Sequence, residues 1–182
     1  MKEKEYQIRN DEQHEMIIDA IIFTCSEKLN INIKWEYMNN VLDKNQIQKY
    51  KDIDGIFIKP NDAKQLVNIE EPLILVNSQT LNDEDAFLGS IAHECRHCYQ
   101  FYHQDENEEW KKEFYNPVKK LNDDGTPNNN YFSSALELDA YVFQELFLRD
   151  FFDNPKLKIY ALNYFDKKKV KECRKKLLTF FK

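Results

Sequence analysis

Helical periodicity toward both ends of the chain, with three short strand-like runs between, predicts an α+β fold. Size is the third observation. The 182 residues are 42% hydrophobic and 14% aromatic, enough side-chain volume for one buried core, so 1–182 reads as a single domain. The same composition excludes the disordered, collagen-like and low-complexity classes.

From Asp11 to Leu29, the residues Ile17, Ile18, Ile21, Ile22, Cys25 and Leu29 follow the helical period, as in an amphipathic helix packed against a core. Ile31-Asn32-Ile33-Lys34-Trp35-Glu36-Tyr37 alternates strictly and reads as a half-buried strand. A polar, partly helical stretch from Asn39 to Asp54 leads to Gly55-Ile56-Phe57-Ile58-Lys59, a second strand stopped by Pro60. Pro72-Leu73-Ile74-Leu75-Val76 is continuously apolar, as expected of an inner strand covered on both faces.

Asp83 to about Gln104 turns helical: Phe87, Leu88, Ile91 and Ala92 are apolar, and Asp83, Glu84 and Asp85 suit the helix start. Residues 105–130 are polar and end in Asp123-Asp124-Gly125-Thr126-Pro127-Asn128-Asn129-Asn130. They read as a surface excursion, with one helical turn around Trp110, that overhangs a cleft. Phe132 to Phe152 is signalled as helix by Ala135, Leu138, Val142 and Leu146, with Ser133 or Ser134 as N-cap. A last helix covers about Asp166 to Phe181. Its lysines and Arg174 interleave with Val170, Cys173, Leu177 and Leu178, the pattern of a solvated amphipathic face.

Several function classes drop out. Apolar runs such as Leu73-Ile74-Leu75-Val76 and Phe151-Phe152 fall far short of the ~20 residues that cross a bilayer. Met1-Lys2-Glu3-Lys4-Glu5-Tyr6-Gln7 lacks the apolar stretch of a secretory signal, which points to the cytoplasm. Cys25, Cys95, Cys98 and Cys173 are few and scattered and read as free thiols. A net charge of -6 lacks the basic footprint of a nucleic-acid-coating protein, and three glycines argue against a phosphate-cradling loop. Neither a nucleic acid nor a membrane is expected as partner.

The chemistry concentrates in Ile91-Ala92-His93-Glu94-Cys95-Arg96-His97-Cys98-Tyr99-Gln100, which holds the pattern H-E-x-x-H on a predicted helix. At 100° per residue, His93 and His97 lie about 40° apart and one turn along the axis, so both imidazoles can converge on one Zn²⁺. Glu94 falls beside them, where a carboxylate can take a proton from an attacking water and pass it to a leaving amine. Cys95 and Cys98 share this helix and find no second pair, so they read as small buried side chains.

A catalytic zinc needs a third protein ligand and an open position. His103 has the spacing of a third histidine in the pattern H-E-x-x-H-x-x-G-x-x-H, but Gln100 stands where that pattern needs glycine. Glu137, in Ser134-Ala135-Leu136-Glu137-Leu138-Asp139-Ala140-Tyr141, is the alternative. Among apolar neighbours an unpaired carboxylate is costly, so Glu137 needs a partner, either a metal or a capping box with Ser134. Asp139 lies about 200° from Glu137 around the helix and suits an ion pair with Arg96. Tyr141 shares Glu137's side and is the candidate oxyanion donor, with Tyr131 and His103 as rivals.

His93-Glu94-x-Arg96-His97-x-x-Gln100 followed by Glu137-x-Asp139-Ala140 resembles the small single-domain gluzincin-type metallopeptidases, the group that includes ImmA/IrrE-like and phage-type peptidases. The likeness spans roughly residues 55–150 in order of elements and is specific in the two short motifs. It implies a minimal zincin-like fold, with a small mixed sheet packed on the N-terminal helix and the H-E-x-x-H helix, and helices at the C-terminus. It implies His93, His97 and Glu137 as zinc ligands and Glu94 as general base. Tyr141 stands where thermolysin-like members have an aspartate. The resemblance further implies a peptide or protein substrate laid along an edge strand, here Gly55–Lys59, antiparallel near Ile56–Ile58. The resulting expectation is a zinc-dependent peptidase. The alternative is a zincin scaffold that binds metal without turnover and acts as a regulator in a mobile element.

Overall fold

The computed structural model describes residues 2–51, 53–78, 84–122 and 126–181. Asp83 and Asp123-Asp124-Gly125, expected at a helix start and in a turn, lie outside them. The architecture is mixed α+β, helices with a three-stranded sheet, as expected. The chain divides into two compact units, Met1–Cys95 and Arg96–Lys182.

In the first unit, helix α1 spans Lys2–Leu29 and buries Ile18, Ile21, Ile22, Cys25 and Leu29 along one stripe. It closes on Asn30 in the left-handed conformation, φ 52°. Asn30 N–H donates to Glu27 O and Ile31 N–H to Ser26 O, the Schellman arrangement that satisfies the last carbonyls. That closure consumes the Ile31 N–H. Strand β1 therefore begins at Lys34 (Lys34–Tyr37) and not at Ile31, where the alternation pattern begins.

Helices α2 (Met38–Val41) and α3 (Lys44–Lys49) fill the polar stretch, α3 opened by a capping box between Asp43 and Gln46. Strand β2 is Gly55–Ile58. Pro60 ends the strand and also begins helix α4 (Pro60–Val67), an element absent from the sequence reading. A proline fits the first helical turn, where its missing N–H has no helical partner to lose.

Strand β3 (Leu73–Val76) is central, in the order β1-β3-β2, and all four of its side chains are fully buried. β1 runs parallel to it and β2 antiparallel, so the sheet is mixed. Leu73 and Leu75 pack with Met38 and Ala63, flanked by Val41, Leu42, Ile56, Ile58 and Val67. Asn77, just past β3, donates through its side chain to the carbonyls of Tyr50, Lys51 and Ile53 and so anchors the approach to β2.

Helix α5 (Glu84–Tyr102) begins in the first unit and continues into the second. Ser90 donates to Asp54 at 2.7 Å, tying α5 to the start of β2. A Cβ on Gly55 would meet Glu94 Cγ and Ile91 Cδ1 at 3.3 Å, so the bare glycine lets the strand come that close.

The second unit is helical. Residues 105–130 hold more structure than one turn: a 3₁₀ turn at Gln104–Glu106, then helix α6 (Glu108–Tyr115) with Trp110 buried. Helix α7 (Asn129–Ser133) ends where Ser134 turns extended, and helix α8 (Ala135–Phe151) starts with Ser134 as its N-cap. The expected helix from Phe132 is thus broken at Ser134, whose hydroxyl accepts the Glu137 N–H instead of extending the helix behind it.

α8 is buried nearly all round, and its buried positions include Glu137, Asp139, Gln144 and Glu145. Its buried Glu145 pairs with Arg149 at 2.9 Å and Arg174 at 2.8 Å, the latter on helix α9 (Lys167–Leu177). α9 buries Val170 and Leu177 and exposes Lys167, Lys168, Lys169, Lys171, Lys175 and Lys176, and Leu178–Phe181 tightens to 3₁₀. Among the described residues, no helix is long and apolar enough to cross a membrane.

Candidate metal centre

One helix carries three potential ligands. On α5, ligand atoms of His93, Glu94 and His97 lie within 4.8 Å of one another, and among the described residues no other such cluster forms. The geometry follows from the helical repeat: His93 and His97 stack one turn apart, with Glu94 beside them. Arg96, Gln100, Cys95 and Cys98 turn to the buried side of the same helix. The cysteines are buried free thiols, as expected.

Glu94 is held from the sheet. Its Oε2 accepts the backbone N–H of Phe57 on β2 at 2.8 Å. Phe57 stands opposite Ile74 in the antiparallel pair, and its N–H, given to Glu94, points away from β3. β2 is an edge strand, so the expected substrate-facing strand is at an edge and its outward N–H meets the expected base.

Glu137, on the first turn of α8, sends its Oε2 to within 3.6 Å of His97 Nε2. The tautomer of His97 can be deduced. Gln100 Nε2 donates to the Leu136 carbonyl and to Asp139 Oδ2, both at 2.9 Å, and both can only accept. Gln100 Oε1 is therefore the end that lies 2.7 Å from His97 Nδ1, so Nδ1 carries the proton and donates. In the neutral ring Nε2 is then the nitrogen that can ligate, and it lies toward Glu137 Oε2.

The 3.6 Å between them is too long for a good hydrogen bond. Around a tetrahedral zinc with ligand bonds near 2.0–2.1 Å, neighbouring donor atoms sit about 3.3–3.4 Å apart. Imidazole nitrogens and a carboxylate oxygen are also the donor types zinc takes. The donor set fits a divalent ion.

Asp139 pairs with Arg96, Oδ2 to Nε at 2.7 Å, the partnership expected from the helix wheel. The Arg96 guanidinium is buried against rings, with Tyr99 at 4.2 Å, Phe180 at 4.9 Å, Phe143 at 5.5 Å and Trp110 at 5.6 Å. Ring faces offset part of the cost of burying the charge. Asp139 also accepts from the Cys173 thiol at 3.7 Å. Burial, aided by that carboxylate, pushes the Cys173 thiol up to about 12. Burial likewise raises the Tyr99 phenol, against the opposing pull of Arg96.

Ser134 supplies its half of the capping box by accepting the Glu137 N–H, while the Glu137 carboxylate is directed to His97 and Lys120. His103 lies just past the end of α5, stacked on Tyr99 at 4.1 Å and bonded to Glu106 at 2.8 Å. The hydroxyls of Tyr141 and its rival Tyr131 lie 2.9 Å apart, so the two are one hydrogen-bonded pair.

The parts played by three residues were not read from the sequence, although one of them, Gln100, stands in the motif. Gln100 had a signal, since its spacing of three from His97 puts both on one helix face. Lys120, 3.1 Å from Glu137 Oε1, and Glu113, 3.1 Å from Lys120, had none, because neither the polar excursion nor the short α6 shows a pattern that aims a side chain. In comparison with known protein families, curated proteins and solved structures, the chain matches none.

Proposed function

We propose that the protein is a zinc-dependent peptidase acting in the cytoplasm, with His93, His97 and Glu137 holding the ion and Glu94 as general base. The reading rests above all on the ligand atoms of His93, Glu94 and His97 gathered within 4.8 Å of one another on one helix, with Glu137 Oε2 3.6 Å from His97 Nε2. The free thiols suit a reducing compartment.

Bound at these residues, zinc would polarise the scissile carbonyl and acidify a water. Glu94 accepts that water's proton and returns it to the leaving amine. Gln100 keeps His97 in the tautomer that ligates, and Asp139 holds Gln100 and Arg96 in turn. The outer edge of β2 offers an extended peptide its backbone, antiparallel near Ile56–Ile58. A substrate carbonyl that takes the Phe57 N–H would release Glu94 from that strand. The Tyr131–Tyr141 pair supplies the hydroxyl for the developing oxyanion.

The test is cleavage of a peptide library by zinc-loaded protein, with Glu94→Gln alongside. A glutamine oxygen can still accept the Phe57 N–H, so the variant keeps its fold and its zinc. Its turnover should fall by about 10²–10⁴-fold. Equal turnover in the variant, or none in the wild type, contradicts the proposal.

A further inference from the structure

The two oxygens of Glu137 serve different partners. Oε2 faces His97 Nε2, and Oε1 accepts from the Lys120 ammonium at 3.1 Å. Lys120 is held from both ends. Its ammonium also meets Glu113 Oε2 at 3.1 Å, and Glu113 is in turn fixed by the Ser134 hydroxyl and by the Ala135 N–H at 2.7 Å. Its main chain is anchored as well. The Asn128 N–H donates to the Lys120 carbonyl at 3.0 Å, and the side-chain amides of Asn128 and Asn130 donate to the Lys119 carbonyl at 3.1 and 3.0 Å. The side chain is 20% exposed, so this ammonium is built into the unit and is not a solvated surface charge.

We propose that Lys120 is a positioning residue that keeps Glu137 a one-oxygen ligand. The inference rests on the metal reading above. A carboxylate beside a divalent ion can bind through one oxygen or turn to grip with both. Turning would require Oε1 to leave a charge-assisted hydrogen bond whose donor is braced by Glu113 and by its own backbone. Lys120 thereby reserves Oε2 for the ion and leaves a coordination position open for water and substrate. Mere neutralisation of the Glu113–Glu137 pair would have no bearing on coordination number, and that difference makes the proposal testable.

The experiment replaces zinc by Co²⁺ in the full chain and records the visible absorption at saturating metal, because its intensity falls as coordination rises from four. Wild type, K120M, K120A and K120R are compared. The wild type should take up about one cobalt per chain and give the strong absorption of a four-coordinate site. K120M and K120A should bind cobalt with absorption at least about two-fold weaker, and K120R should restore the wild-type spectrum. A wild-type spectrum in both K120M and K120A overturns the proposal, as does a wild type that already shows the weaker one. If the wild type takes up no cobalt, the metal reading fails first and the inference with it.

Discussion

The side-chain oxygen of Gln100 lies 2.7 Å from Nδ1 of His97, and this contact decides which imidazole nitrogen is available to a metal. Because Gln100 spends its amide hydrogens on the Leu136 carbonyl and Asp139, it cannot reverse without setting acceptor against acceptor. Gln100→Ala frees the ring of His97 to change tautomer and to turn. Zinc affinity measured against a competing chelator should drop about 10–100-fold, with helix content retained. Unchanged affinity would mean that Gln100 does not orient the ligand.

Arg96 and Asp139 form a buried pair whose members each have further duties, Arg96 against four rings and Asp139 beneath Gln100. Removing one member strands the other charge. Arg96→Met should cost about 3–5 kcal/mol in urea unfolding, since Asp139 would be left buried without its cation. A loss under about 1 kcal/mol would mean that water or another side chain compensates.

Cys173 makes alkaline stability a readout of the Asp139 environment. Its thiol is pushed up to about 12 in the folded chain, chiefly by burial and next by Asp139, from an ordinary value of 9.0. The folded state therefore holds the proton more tightly than the unfolded one. The contribution is intact below pH 9 and is lost as pH climbs toward about 12, at up to about 1.4 kcal/mol per pH unit. Unfolding free energies for wild type and Cys173→Ala should diverge in slope across that window, the variant being flatter. Parallel slopes would contradict the shift.

The sequence carried the fold wherever one face of an element is apolar and long enough to count. α1, β3, α5 and α8 were all legible in this way. It failed where local hydrogen bonding overrode the pattern: the Schellman closure that takes Ile31 from β1, and the Ser134 cap that separates α7 from α8. α4 was hidden because Pro60 was read as a stop to β2 and not also as a first helical residue. Within the site, the spacing of His93, Glu94 and His97 could be read because a helix turns spacing into direction. Lys120 and Glu113 could not, because their approach to Glu137 depends on tertiary contacts that bring Lys120 and α6 against the start of α8.

The most direct test is the metal content of the purified protein after dialysis against limiting zinc, compared among wild type, His97→Ala, Glu137→Ala and His103→Ala. The account predicts about one zinc per chain in wild type and in His103→Ala, and at least about a ten-fold loss of affinity in the other two. Full zinc retention in Glu137→Ala, with loss in His103→Ala, would contradict it.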